Sequence, residues 1–168
     1  PGADTDGKGT GDTAEGMCNL RAGDGNGDVG LDPDSGHVRC YDSLGSADTP
    51  SLPSRDMDLP FGVFSFRVDG LRVDPVGPAT VVLRVHLPQR PGGAVKWYKM
   101  DIANNRFFEL AGTVTFQGNT ALVELTDGGP GDFDGVVNGI IVDPSGPVVV
   151  NAAPGTGGDG GGDSGGDV

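Results

Sequence analysis

The sequence predicts an all-β fold: an antiparallel β-sandwich, Ig-like or jelly-roll-like, preceded by an irregular N-terminal loop region. Three observations lead there. Residues 59–151 hold seven or eight short runs rich in Val, Ile, Phe and Thr, separated by Gly, Pro and Asn. No segment keeps a helical period bounded by capping residues. The first 36 residues carry ten glycines and few large apolar side chains, too little to build a core alone.

Within those 36 residues, oxygen-bearing side chains recur at every second position, separated by glycines. One ladder contains Asp4, Asp6, Lys8, Asp12 and Glu15; the other contains Asp24, Asn26, Asp28 and Asp32. Such spacing lets a short loop wrap a hard divalent cation, above all calcium. In the first ladder, Asp4, Asp6, Asp12 and Glu15 fall at loop positions 1, 3, 9 and 12, with Gly9 where the sharp turn is needed. Lys8 stands at a ligand position and offers no side-chain oxygen. In the second, Val29-Gly30 displaces the turn glycine and Ser35 stands where a bidentate acid is usual. The alternative is an acidic linker with no metal.

Residues 37–58 read as a Ser/Asp/Pro-bearing connector, and residues 59–151 as the sandwich domain. Its expected strands are 61–68, 79–87, 95–100, 106–110, 113–116, 121–125, 139–142 and 147–150. Gln117-Gly118-Asn119-Thr120 marks a hairpin. Many of these runs are apolar on both faces, which fits stacked sheets or a covered outer face. Residues 152–168 form a Gly/Asp-rich tail of linker composition.

A third acidic cluster holds Asp132, Asp134 and Asn138. It suits either another cation site or Asx turns closing a loop. Catalysis has little support: His37 and His86 are isolated, and no zinc spacing, nucleophile elbow or phosphate loop occurs. Trp97 and Tyr98 offer a possible platform for stacking on a sugar, with core packing as the alternative.

Acids outnumber bases 24 to 11, and residues 1–36 alone carry eight acids against two bases. Such a chain repels phosphate backbones and anionic lipid, so nucleic-acid binding is not expected. No apolar run approaches the roughly 20 residues of a membrane span. The chain opens on Pro1 rather than Met, as expected of a processed piece. Cys18 and Cys40 are the only cysteines. A disulfide between them would close about 22 residues and add roughly 3 kcal/mol, as expected of a secreted chain. Two free thiols are the alternative.

The ladders resemble bacterial thrombospondin type 3 repeats. Three later stretches resemble a choice-of-anchor U domain: LPFGVFSFRVDGL from Leu59 to Leu71, KWYK from Lys96 to Lys99, and LTDGGPGDFDGVVNGIIVDPSGP from Leu125 to Pro147. The resemblances imply an exported bacterial protein, secreted or on the cell surface, with calcium-ordered repeats before a sandwich. The expected role is structural and non-catalytic, with self-association into a fibre through the extended ends. An adhesin-type module binding glycans or a surface, or an accessory domain of a larger secreted protein, is the second expectation.

Overall fold

A computed structural model of the chain describes residues 3–9, 11–73 and 77–152. Eleven strands run through the described residues: β1 (Cys18–Arg21), β2 (Asp28–Pro33), β3 (His37–Leu44), β4 (Met57–Asp58), β5 (Val63–Asp69), β6 (Thr80–His86), β7 (Ala94–Asp101), β8 (Arg106–Glu109), β9 (Val114–Gln117), β10 (Thr120–Thr126) and β11 (Ile141–Val150). Two short 3-10 turns, Asp12–Glu15 and Ser46–Asp48, are the helical elements among these residues. No helix of the described residues is long and apolar enough to cross a membrane.

The strands form two antiparallel sheets packed as a sandwich, as the succession of short strands and turns predicts. One sheet runs β1-β2-β6-β10-β9 and the other β3-β5-β11-β7-β8, with β4 pairing the end of β11. The layer between them follows from the period of two in each strand. Val81, Leu83 and Val85 of β6, and Ala121, Val123 and Leu125 of β10, meet Phe64, Phe66 and Val68 of β5, Trp97 of β7 and Ile141 of β11. Each such large apolar side chain contributes about 1.5–3 kcal/mol by leaving water.

The N-terminal part differs from expectation. Residues 1–36 are not a separate loop module. β1 and β2 form a hairpin whose second strand pairs β6, and Val29 and Leu31 are fully buried in the main core. Two alternating apolar residues in so polar a stretch are a weak sequence signal, and pairing with β6 supplies the rest. The segment 37–58 is also more than a connector. β3 is an eight-residue strand beside β5. Beyond β3, Leu52, Met57 and Leu59 pack on the outward face of the second sheet, against Val63, Tyr98, Met100, Phe107 and Val148. The apolar residues on both faces are thus covered by the chain itself.

β11 is one strand where the sequence suggests two. Ile141–Ser145 pair with β5, and Ser145–Val150 pair with β7. Pro144 lies where only β5 is paired and Pro147 where β5 has ended. Neither proline's missing N–H therefore breaks a two-sided ladder. Residues 153–168 of the Gly/Asp-rich tail, and the end-to-end assembly expected of it, lie outside the described residues.

Cys18 and Cys40 form a disulfide with a Cα–Cα distance of 5.7 Å. β1 and β3 are edge strands of opposite sheets. The bond therefore fastens the two layers together at one open edge, where no backbone ladder crosses between them. Replacing both cysteines by Ala should lower unfolding free energy by about 3 kcal/mol, read from the urea midpoint. A midpoint within error of the parent chain would show that the edge holds without the bond.

Candidate functional site

The first Asp ladder curls into a loop because its glycines permit it. Gly7 and Gly9 take positive φ, 75° and 83°. Asp6 Oδ1 accepts the Lys8 N–H at 3.1 Å and Asp4 Oδ2 accepts the Gly9 N–H at 2.8 Å. Asp12 opens the 3-10 turn after the loop. The result brings one carboxylate oxygen each from Asp4, Asp6 and Asp12 within 4.8 Å of one another. Three hard oxygen donors so placed suit calcium or magnesium better than a thiophilic metal.

Asp12 fastens this loop to the sandwich. Its fully buried carboxylate accepts the Thr5 N–H at 2.9 Å, the Thr5 hydroxyl, and Asn19 Nδ2 on β1 at 2.5 Å. Burial pushes its carboxyl up, but the Thr5 and Asn19 donors outweigh it and hold the group below the usual range. Beneath the loop, Asn19, Gly30, His86 and Thr120 form one row across four strands. A Cβ on Gly30 would overlap Thr5 Oγ1 and stand 3.1 Å from Met17 Cε, so the missing side chain is what admits the loop. His86 is 9% exposed. Its Nδ1 lies 3.1 Å from Thr120 Oγ1, and its buried Nε2 has no partner. Burial lowers the imidazole pKa, with the carboxylates of Asp6, Asp32 and Asp12 pulling the other way.

Lys8 supplies the local positive charge. Its Nζ stands 2.5 Å from Asp6 Oδ2 and 3.8 Å from Glu15 Oε2. The contact holds the Asp6 carboxyl low and the ammonium high. The Asp6 side chain is nearly fully buried, and its Oδ2 is the oxygen that the Lys8 ammonium pairs. Glu15 is exposed and stands outside the group of three, facing Lys8 instead.

The other predicted ligands do not converge. Asp24 and Asn26 lie in the turn of the β1–β2 hairpin, closed by the Ala22 N–H on the Gly27 carbonyl at 2.8 Å. Asp28 and Asp32 follow on β2 itself, where the extended chain carries them apart. Asp32 pairs with Arg84 at 3.2 Å, and Asp28 stands 3.9 Å from Arg21. The second ladder is thus a hairpin turn leading into a strand. In the third cluster, Asp132 accepts the N–H groups of Gly128 and Val142, and Asp134 accepts those of Val136 and the Asn138 amide. These carboxylates brace the loop from β10 to β11, and neither joins a carboxylate group among the described residues. Asp127, not singled out from sequence, is fully buried and accepts the Asn138 and Gly139 N–H groups at 3.2 and 2.7 Å.

The proposed stacking platform is overturned. Trp97 is 1% exposed and Tyr98 5%, on opposite faces of β7. One fills the core between the sheets and the other lies under the 45–62 segment. A further buried cluster escaped the sequence. Lys99 and Asp143 meet between the sheets, with Ser145 and Trp97 beside them. The available signal was parity: Lys99 shares the face of Trp97, and Asp143 and Ser145 share the face of Ile141.

Comparison with protein-family models, with curated proteins and with solved structures found no match for this chain.

Gly30→Ala should displace the loop around Thr5 from the sheet without substituting any candidate ligand residue. Limited trypsin digestion should then cut after Lys8 faster than in the parent chain, and an unchanged rate would show that Thr5 does not need this gap. Asp127→Ala strips the Asn138 and Gly139 N–H groups of their buried acceptor and should cost about 1–3 kcal/mol in chemical denaturation. A cost near zero would mean that water takes its place.

Proposed function

We propose that the chain is a non-catalytic structural module of an exported protein, whose N-terminal Asp loop is ordered by calcium against the face of a β-sandwich. One observation carries this: one carboxylate oxygen each from Asp4, Asp6 and Asp12 lie within 4.8 Å of one another. The disulfide supports an oxidising compartment. The resemblance to thrombospondin type 3 repeats agrees for the first ladder alone.

In this reading the metal is a strut. Asp12 already binds the loop to β1, and a cation shared by Asp4, Asp6 and Asp12 ties the loop's free end to the same anchor. Further oxygens come from backbone carbonyls or water. Lys8 acts as a tethered competitor, since its ammonium stands against the carboxylate that the metal needs. The site is therefore weak in free energy and suited to the high calcium supply outside cells.

Calcium at about a hundredfold excess over its Kd should raise unfolding free energy by about 2.7 kcal/mol, and chelation should remove the gain. Asp6→Asn should abolish the response, and Lys8→Gln should shift the calcium titration to lower concentration. Thermal denaturation with added calcium or with chelator reads all three. Identical melting curves for the parent chain under both conditions would sink the calcium reading.

A further inference from the structure

We propose that Lys99 and Asp143 condense without a cofactor into a side-chain amide that joins β7 to β11 covalently. Lys99 Nζ stands 2.6 Å from Asp143 Oδ1, and the two side chains are 3% and 0% exposed. They sit on adjacent strands: Lys99 pairs with Ser145, two residues beyond Asp143. On the other side, Asp143 and Ser145 pair with Phe66 and Phe64 of β5, both fully buried. A primary amine and a carboxyl are thus held together in an apolar layer.

In water this pair is inert, because the amine is protonated and the carboxylate repels a nucleophile. Burial disfavours the Asp143 carboxylate, so the proton passes along the short hydrogen bond from Nζ to Oδ1. Burial raises the Asp143 carboxyl pKa against the opposing pull of Lys99 and Ser145. The neutral amine then attacks Cγ, forming the Nζ–Cγ bond, and negative charge collects on Oδ2. A donor waits there: Ser145 Oγ donates to Oδ2 at 2.5 Å and itself accepts from Trp97 Nε1 at 2.8 Å. A second proton moves from Nζ to Oδ1, the Cγ–Oδ1 bond breaks, and Oδ1 leaves as water. An ammonium and a carboxylate become an amide and one water, with no oxidant, reductant or other reactant.

The remaining contacts fit both ends of this step. Gly131 O accepts from Nζ at 3.0 Å and Val142 O at 3.5 Å. Together they orient the nitrogen before attack, and Gly131 O is placed to accept the single N–H of the amide. Two fixed strands replace the encounter of two molecules, which makes the step effectively unimolecular. The nearby Asp132 carboxylate is occupied by Gly128 and Val142 N–H groups and takes no direct part.

The test is the intact mass of the purified, reduced full chain, followed by tryptic mapping. The expected mass is one water below the sequence mass. Trypsin should fail to cut after Lys99, and fragmentation should show a branched peptide joining Lys99 to Asp143. Lys99→Met should restore the full mass. A parent chain at full sequence mass, cut normally after Lys99, would overturn the proposal and leave an ion pair. So would a water deficit that persists in Lys99→Met, since Asp–Gly steps such as Asp127-Gly128 and Asp134-Gly135 lose water by ring closure. If Lys99→Met does not fold, the branched peptide of the parent chain decides alone.

Discussion

A Lys–Asp pair sealed between two apolar layers constrains the rest of this fold. Either charge alone in that position would cost about 3–5 kcal/mol, so each demands the other. The demand has a geometric consequence. Lys99 reaches Asp143 only if β7 lies beside β11 in the register that sets Lys99 against Ser145. That places β11 at the centre of its sheet, with β5 along its first half and β7 along its second. The loop before β11 must then bring the Gly131 carbonyl back to Nζ, and the carboxylates of Asp127 and Asp132 hold it there by backbone N–H groups. A one-residue slip of β11 would point Asp143 outward and strand the ammonium, which makes the pair a device for register as much as for stability.

Much of the sandwich was legible because its strands obey a strong rule. In β6, residues 81, 83 and 85 are all buried, as period two requires, and the hairpin at 117–120 lies where glycine and asparagine signal it. What escaped was decided by partners far away in sequence. β1 and β2 carry too few apolar residues to announce themselves, and pairing with β6 makes them strands. The sequence divides β11 into runs 139–142 and 147–150 around Pro144, yet Pro144 and Pro147 each lie where one side of β11 has no partner. Parity puts Lys99 on the face of Trp97, but nothing local reveals that a carboxylate waits on the neighbouring strand.

The Asp ladders divide for a similar reason. Both have the spacing of a cation loop, but spacing fixes geometry only where the backbone is free to curl. Gly7 and Gly9 let the first ladder close on itself over the gap at Gly30. The second is drawn out by the β2 ladder, so its later carboxylates go to Arg84 and to the surface near Arg21. The same alternation explains Trp97 and Tyr98: adjacent residues on a strand with both faces covered are both buried, one in each layer.

The disulfide and the Asp loop strengthen the same edge of the molecule by different means. One fixes β1 to β3 covalently, and the other lies over the β1–β2 face through Asp12 and Asn19. The account stands on the claim that a cation completes the second. Amide hydrogen exchange in the presence and absence of calcium measures it most directly, residue by residue. Calcium should slow exchange selectively at Thr5, Lys8, Gly9 and Asp12, with the strand amides of β6 and β10 unchanged. Equal exchange at those four amides under both conditions would contradict the account.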